Sequence, residues 1–371
     1  MTLHVHPDIQ SLTPYVPGKP IEELQRELGL HRVVKLASNE NPLGPSPKAV
    51  AALTGATDSL HRYPDGGGYR LRHVLAERWK VSSEQIILGN GSDEVLGLLA
   101  RAFLAPGDEA VMADHTFVIY KMEVTAAHGN PVVVPLKNWT HDLDAMARAV
   151  TPRTRLLFVC NPNNPTGTMV SAEEVKRLMA SIPDDVIVVF DEAYFEYVCD
   201  PQFPDTVAYV RDGRNVVVLR TFSKIYGLAG LRIGYGITTP EITGILNRIR
   251  PPFNANSLAQ RAAAAALGDD EHVAKSRAVN AEGMVQVGEG LKALGLAPIP
   301  SQTNFVYFDV GRDGRQVFEA LLREGIIVRH IEGTMLRVTI GLADENAAFL
   351  QALKKVLAYE PAEHDRRARE S

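Results

Sequence analysis

Four short apolar runs in the middle of this chain each break off into a polar cluster, and that pattern constrains the fold more than any other feature. Residues 85–88 (QIIL) lead into Gly89-Asn90-Gly91-Ser92-Asp93 and then a helical stretch over 93–103. Residues 156–160 (LLFVC) lead into Asn161-Pro162-Asn163-Asn164-Pro165-Thr166-Gly167, followed by a helical stretch over 171–181. Residues 186–190 (VIVVF) end on Asp191-Glu192-Ala193-Tyr194, and residues 216–219 (VVVL) end on Arg220-Thr221-Phe222-Ser223-Lys224. The apolar positions are consecutive rather than alternating, which suits central strands of a parallel sheet buried on both faces. Strand and helix signals alternate from about residue 84 to 240, and that alternation predicts an α/β domain.

A chain of 371 residues exceeds what one core usually organises, so a second domain is expected. The pattern changes at Arg250-Pro251-Pro252. Beyond it come an alanine-rich helix near 262–266 and short strands at 304–308 and 336–340, read as a smaller α+β domain. The predicted organisation is an amino-terminal arm with part of the small domain (1–41), a large ligand-binding domain (42–250) and a small domain (251–359). Residues 360–371 are charged and poor in apolar residues, and are read as a flexible tail.

Composition removes several function classes. With 39 basic and 44 acidic residues the net charge is −5, so there is no basic field to hold a nucleic-acid backbone. No apolar stretch approaches the roughly 18 to 20 residues that span a bilayer. Residues 1–10 lack a basic and then apolar leader pattern, so secretion is not expected. The two cysteines, Cys160 and Cys199, sit in or near apolar runs and are read as buried free thiols in a cytosolic protein.

In open α/β sheets, ligands bind beyond the carboxyl ends of the strands. The turn at Gly89 to Asp93 opens a helix, where free backbone N–H groups can hold a phosphate. Asn164, Asp191, Tyr194, Ser223 and Lys224 follow the other three runs. Singly each has a plain reading: Gly91-Ser92 as an ordinary turn, Asp191 as a helix cap, Lys224 as a solvated lysine. Together they describe an anion-binding site that contains an amine.

Residues 221–235 (TFSKIYGLAGLRIGY) resemble the lysine signature of class II, fold-type-I aminotransferases, and residues 161–167 and 190–194 resemble two further signatures in the same order. The resemblance runs from about Leu12 to Glu345. It implies a large domain with a mostly parallel central sheet covered by helices, plus a smaller α+β domain, and pyridoxal 5′-phosphate as cofactor. On the matching positions, Lys224 is the Schiff-base lysine and Asp191 the partner of the pyridine nitrogen. Asn164 and Tyr194 hydrogen-bond the ring oxygen. Ser92, Asp93, Thr221, Ser223 and Arg232 form the phosphate cup, and Phe117 stacks on the ring.

Residues 12–20 (LTPYVPGKP), 36–44 (LASNENPLG) and 62–65 (RYPD) are similar to the histidinol-phosphate aminotransferases within that family. This implies amino transfer between histidinol phosphate or imidazole-acetol phosphate and 2-oxoglutarate or glutamate, in histidine biosynthesis. It also implies a homodimer in which Tyr63 reaches the phosphate of the neighbouring subunit. Tyr15, Asn39, Arg329 and Arg337 fall at its substrate-binding positions. Arg337, a charge inside the β-rich run LRVTIG, asks for an anionic partner on its own account. Its planar fork can engage a carboxylate or a phosphate. An aromatic-amino-acid aminotransferase, or a pyridoxal-phosphate decarboxylase acting on a phosphorylated amino acid, stays open at this point.

Overall fold

A computed structural model describes residues 4–15 and 18–358. The proposed tail at 360–371 lies outside the described residues. The chain divides into two compact units. The first comprises residues 1–15, 43–278 and 299–304, and the second residues 16–42, 279–298 and 305–371.

The first unit is built on seven strands: β1 (Ile86–Gly89), β2 (Glu109–Ala113), β3 (Asn130–Val134), β4 (Thr154–Cys160), β5 (Ile187–Asp191), β6 (Val216–Thr221) and β7 (Gly234–Ile237). Their order across the sheet is β1-β7-β6-β5-β4-β2-β3. Strands β6, β5, β4, β2 and β3 are parallel, whereas β7 runs antiparallel to both its neighbours, β1 and β6. Every residue of β5 and β6 is buried, as consecutive apolar positions require of strands covered on both faces. Strands β3 and β7 carry weaker sequence signals. β3 includes exposed positions, and β7 contains Gly234 and Gly236, residues depleted from strands.

Helices supply the covering layers. Val95, Leu98 and Leu99 of the helix Ser92–Phe103 pack against Ile87, Leu156, Phe158, Val189 and Val217 of the sheet. Each such side chain contributes about 1.5–3 kcal/mol by leaving water. The helix Ala172–Ser181 starts at a capping box, in which Ser171 and Glu174 satisfy each other's backbone N–H groups. The helix Ser257–Ala266 packs on the helices Pro47–Ala52 and Tyr69–Trp79, burying Ala259, Ala262, Ala263 and Ala266. Small side chains allow that close approach. The stretch 251–278, placed in the smaller domain on sequence, therefore lies in the first unit.

In the second unit the strand Met335–Thr339 is central to a three-stranded antiparallel sheet, between Phe305–Asp309 and Arg329–Glu332. A parallel pair joins Val34–Lys35 to Ile326–Ile327. Val306, Phe308, Leu321, Leu336, Val338, Phe349 and Leu353 form its core. Cys160 is buried at the end of β4, but Cys199 is exposed, correcting the expectation that both thiols are buried. It lies in the loop after the turn Phe195–Tyr197, beyond the apolar run that suggested burial. Among the described residues no helix is long and apolar enough to cross a membrane.

Candidate active site

Strands β4, β5 and β6 are adjacent and parallel, so their carboxyl ends form one edge. The register sets Cys160 beside Asp191 and Asp191 beside Leu219. The chain beyond β4 carries Asn164, β5 ends on Asp191, and the turn after β6 carries Ser223 and Lys224.

Asp191 is 3% exposed. The Tyr120 hydroxyl donates to its Oδ2 at 2.7 Å, while Oδ1 has no hydrogen-bond partner among the described residues. Burial pushes the carboxyl up to about 6, and the Tyr120 hydrogen bond opposes that rise. A buried carboxylate with one fixed and one unpartnered oxygen is suited to a cationic N–H donor. The half-buried Lys224 has its Nζ 5.8 Å from the ring centroid of the buried Tyr194. Phe117 meets Tyr120 edge-on with centroids 5.7 Å apart, and Tyr120 stacks flat on Phe158 at 4.9 Å.

The phosphate-cup candidates come together at the other end of this edge. Gly234, which opens β7, lies in register between Gly89 of β1 and Thr221 of β6. A Cβ on Gly234 would collide with the Ser92 amide nitrogen, so only glycine lets the helix start this close to the sheet. Gly91, at φ 81°, precedes that helix, and a Cβ there would strike the Arg232 guanidinium. Arg232 bonds Asp93 at 3.2 Å and the Ser223 hydroxyl at 3.4 Å. The Ser223 N–H donates to Thr221 Oγ1 at 3.1 Å. A guanidinium, a hydroxyl and the unpaired N–H groups of a helix start thus converge, which is the donor set a phosphate dianion takes.

Other positions act as supports. Asn163 is fully buried. It donates to the His115 carbonyl at 2.9 Å and accepts from the Thr116 hydroxyl at 2.9 Å. It thereby ties the loop bearing Asn164 to the one bearing Phe117. Behind the edge, Arg220 pairs with Glu192 at 2.6 Å, both almost fully buried. Its Cζ lies 3.9 Å from the Trp79 ring centroid and 3.5 Å from that of Phe195. The neighbouring Glu196 is pushed up to about 7 by burial.

The sequence reading missed Tyr120, Asn163, Gly234 and the Arg220–Glu192 pair. Tyr63 is highly exposed and stacks on Phe253 at 4.6 Å, and Tyr15 is half exposed. Asn39, Arg329 and Arg337 belong to the second unit. There the Asn39 N–H donates to the Thr339 hydroxyl at 3.0 Å. Arg337, 8% exposed, donates to the Ala37 carbonyl at 2.7 Å and faces Arg329 directly across the strand pair.

The model of the family described as "Aminotransferase class I and II" matches residues 31–353 of this chain. The chain belongs to the class I and II aminotransferases. Among the relatives of this aminotransferase, the histidinol-phosphate aminotransferase of Moorella thermoacetica is 54% identical over 94% of this chain and 92% of that protein. Histidinol-phosphate aminotransferase 2 of Pseudomonas fluorescens is 52% identical over 95% and 97%. Among solved structures, histidinol-phosphate aminotransferase from Sinorhizobium meliloti in complex with pyridoxal-5′-phosphate superposes with a TM-score of 0.89. It is 31% identical and covers 96% of this chain and 98% of that one. Aspartate aminotransferase from Thermus thermophilus with maleate shares the fold at a TM-score of 0.82 and 24% identity, covering 96% of this chain and all of that one. The architecture is that of the fold-type-I aminotransferases, as the sequence motifs predict.

Proposed function

We propose that this chain is a pyridoxal-phosphate-dependent aminotransferase that interconverts histidinol phosphate and imidazole-acetol phosphate, with 2-oxoglutarate and glutamate as the second pair, in histidine biosynthesis. The observation that carries the chemistry is Asp191, buried, with Oδ2 held by Tyr120 and Oδ1 without a partner among the described residues. The substrate rests on similarity above 50% identity, over nearly the whole chain, to proteins named for that activity.

Bound at this edge, pyridoxal phosphate supplies an electron sink for charge developing at the substrate's Cα. Asp191 holds a proton on the pyridine nitrogen, and that cationic partner favours its ionised form. Arg232, Ser223, Thr221, Ser92 and the first-turn N–H groups of the helix Ser92–Phe103, that of Asp93 among them, would bind and orient the phosphate, while the Asp93 carboxylate holds Arg232. Lys224 would hold the cofactor covalently through its amine, and once freed would act as the base and acid that moves the substrate's Cα proton. Tyr194 positions that amine, and Asn164 and Phe117 fix the ring's plane. Arg337 and Arg329 take the substrate's anion. The two arginines are paired directly in register across the strand pair, so one carboxylate or phosphate would be within reach of both. Tyr15 and Asn39 complete the substrate contacts.

The enzyme acts as a homodimer in which Tyr63 enters its neighbour's phosphate cup. Its 82% exposure supports this role, because it leaves the phenol at the surface. A cytoplasmic location fits two cysteines that form no disulfide.

Three measurements on the reconstituted enzyme test the reading. Borohydride followed by peptide mapping should find the cofactor on Lys224 and no other lysine. kcat/KM should be higher for histidinol phosphate than for phenylalanine or tyrosine, and the reverse order would move the assignment to an aromatic aminotransferase. Mixing Lys224→Ala with Tyr63→Ala subunits should restore part of the activity. No recovery despite demonstrated subunit exchange would remove Tyr63 from the partner's site.

A further inference from the structure

One grouping of metal-ligating side chains among the described residues has no part in the chemistry above: His6, Asp8 and His128. His6 caps the short helix Pro7–Ser11, and Asp8 lies in its first turn. This helix packs on the helix Ile119–Ala126, and His128 sits in the turn that ends it. His128 has a left-handed backbone at φ 64°. Its N–H donates to the Thr125 carbonyl at 3.0 Å, and the next N–H, of Gly129, donates to the Val124 carbonyl at 2.9 Å. The turn is thus fixed with the His128 ring against Asp8.

The contacts within the group are not those of a purely hydrogen-bonded cluster. His128 Nδ1 lies 2.9 Å from Asp8 Oδ2, an ordinary hydrogen bond. His6 Nδ1 lies 3.4 Å from the same oxygen. That nitrogen also accepts the Asp8 backbone N–H at 3.3 Å. Both contacts are long, so a metal ion can replace them with a ligand bond to the same nitrogen. His6, Asp8 and His128 thus each bring one ligand atom within 4.8 Å of the others, with the two imidazoles 3.9 Å apart between ring centroids.

We propose that His6, Asp8 and His128 form a site for a divalent transition cation of the zinc type, with water in the remaining position. Two imidazoles and one carboxylate are a borderline donor set that suits Zn²⁺, Co²⁺ or Ni²⁺ better than Mg²⁺ or Ca²⁺, which take oxygen ligands. In a tetrahedral zinc site with ligands at 2.0–2.1 Å, ligand atoms stand about 3.3 Å apart. The two separations to Asp8 Oδ2, 2.9 and 3.4 Å, are within a few tenths of an ångström of that value, and all three ligand atoms lie within 4.8 Å of one another. The bound ion clasps the amino-terminal segment to the helix that carries Tyr120.

The test uses full-length protein dialysed against a chelator and then titrated with Zn²⁺ in competition with a zinc-indicator dye. One zinc per chain is expected, with no response to Mg²⁺, and the Co²⁺ form should show the visible bands of a tetrahedral site. His128→Asn removes a ligand while tolerating the left-handed backbone, and Asp8→Asn removes the carboxylate charge. Each should weaken zinc binding by about tenfold or more, since losing even an outer-shell partner costs that much. Thermal unfolding of the zinc-free proteins confirms that the variants are folded. Absence of a saturable site, or equal affinity in wild type and a folded His128→Asn, overturns the proposal.

Discussion

Replacing Tyr120 with phenylalanine isolates one hydrogen bond at the base of the site. The ring keeps its flat stack on Phe158, and only the hydroxyl 2.7 Å from Asp191 Oδ2 is lost. Hydrogen bonds to charged groups are worth about 1.5–3 kcal/mol, which corresponds to roughly one to two pKa units. The bond favours the ionised carboxylate, so its loss moves Asp191 upward, from about 6 to roughly 7–8. At pH 7 the wild-type carboxyl is then about 90% ionised and the variant roughly 10–50%. If only the ionised form takes the protonated pyridine, cofactor affinity at pH 7 falls about two- to tenfold and recovers towards pH 9. The assay is a ¹³C-NMR titration of aspartate-labelled apoprotein, with the Asp191 signal assigned through Asp191→Asn, alongside cofactor binding at both pH values. An unmoved Asp191 midpoint, or an affinity loss equal at pH 7 and pH 9, would refute the reasoning.

Gly234→Ala should displace the start of the helix Ser92–Phe103, because its Cβ meets the Ser92 backbone. A misplacement near 1 Å can cost about 10²-fold, so a loss of cofactor retention and turnover on that scale is expected, measured by equilibrium dialysis and steady-state rates. Arg220→Met should destabilise the fold by about 3–5 kcal/mol in urea unfolding, because it strands Glu192 as a buried charge. The double variant with Glu192→Gln should recover part of that loss. Arg337→Ala should damage both half-reactions by about 2–5 kcal/mol in single-turnover kcat/KM, and sparing glutamate alone would rule out a shared anion position. Asp191, raised to about 6, binds a proton in the fold that the unfolded chain has released above about 4. Its stabilising contribution is therefore full below pH 4 and lost as pH rises through 6. His141, lowered to about 4 by burial, acts oppositely as pH falls below 6.5. The check is thus the difference in apoprotein thermal unfolding between wild type and Asp191→Asn, which should narrow from pH 7 to pH 5.

Strand continuity made the floor of the site legible, because a run buried on both faces must end where the chain can next be polar. That places Asp191, Ser223 and Lys224 from sequence alone. The supports were harder to read for a physical reason. Asp191 and Glu192 are consecutive, as are Arg220 and Thr221, and side chains alternate between faces along a strand. Glu192 and Arg220 therefore sit in the same motifs as the candidate site residues while pairing with each other. The alternation itself was the available signal. Tyr120 follows Phe117 by three positions at a helix start, a spacing that sets both on one face. Nothing local distinguishes a phenol that reaches a carboxylate from one that fills a core. Gly234 looked like a break in a strand, and its purpose appears only when the register places it between Gly89 and Thr221.

The placement of β7 also bears on how the enzyme can be made. β1 comes early in the chain, yet its sheet neighbour is β7, the last strand of that sheet to leave the ribosome. Arg232 and Asp93, which meet in the proposed phosphate cup, are 139 residues apart. In the second unit Val34 pairs with Ile326, so that unit also waits for the carboxyl-terminal part of the chain. Closing such distant segments carries a large loop entropy before any contact repays it, and slows folding. Nascent chains that stop short of Gly234 have the strand bearing Asp191 but lack the strand that joins β1 to β6. The sheet edge that carries the candidate site is therefore completed late in synthesis.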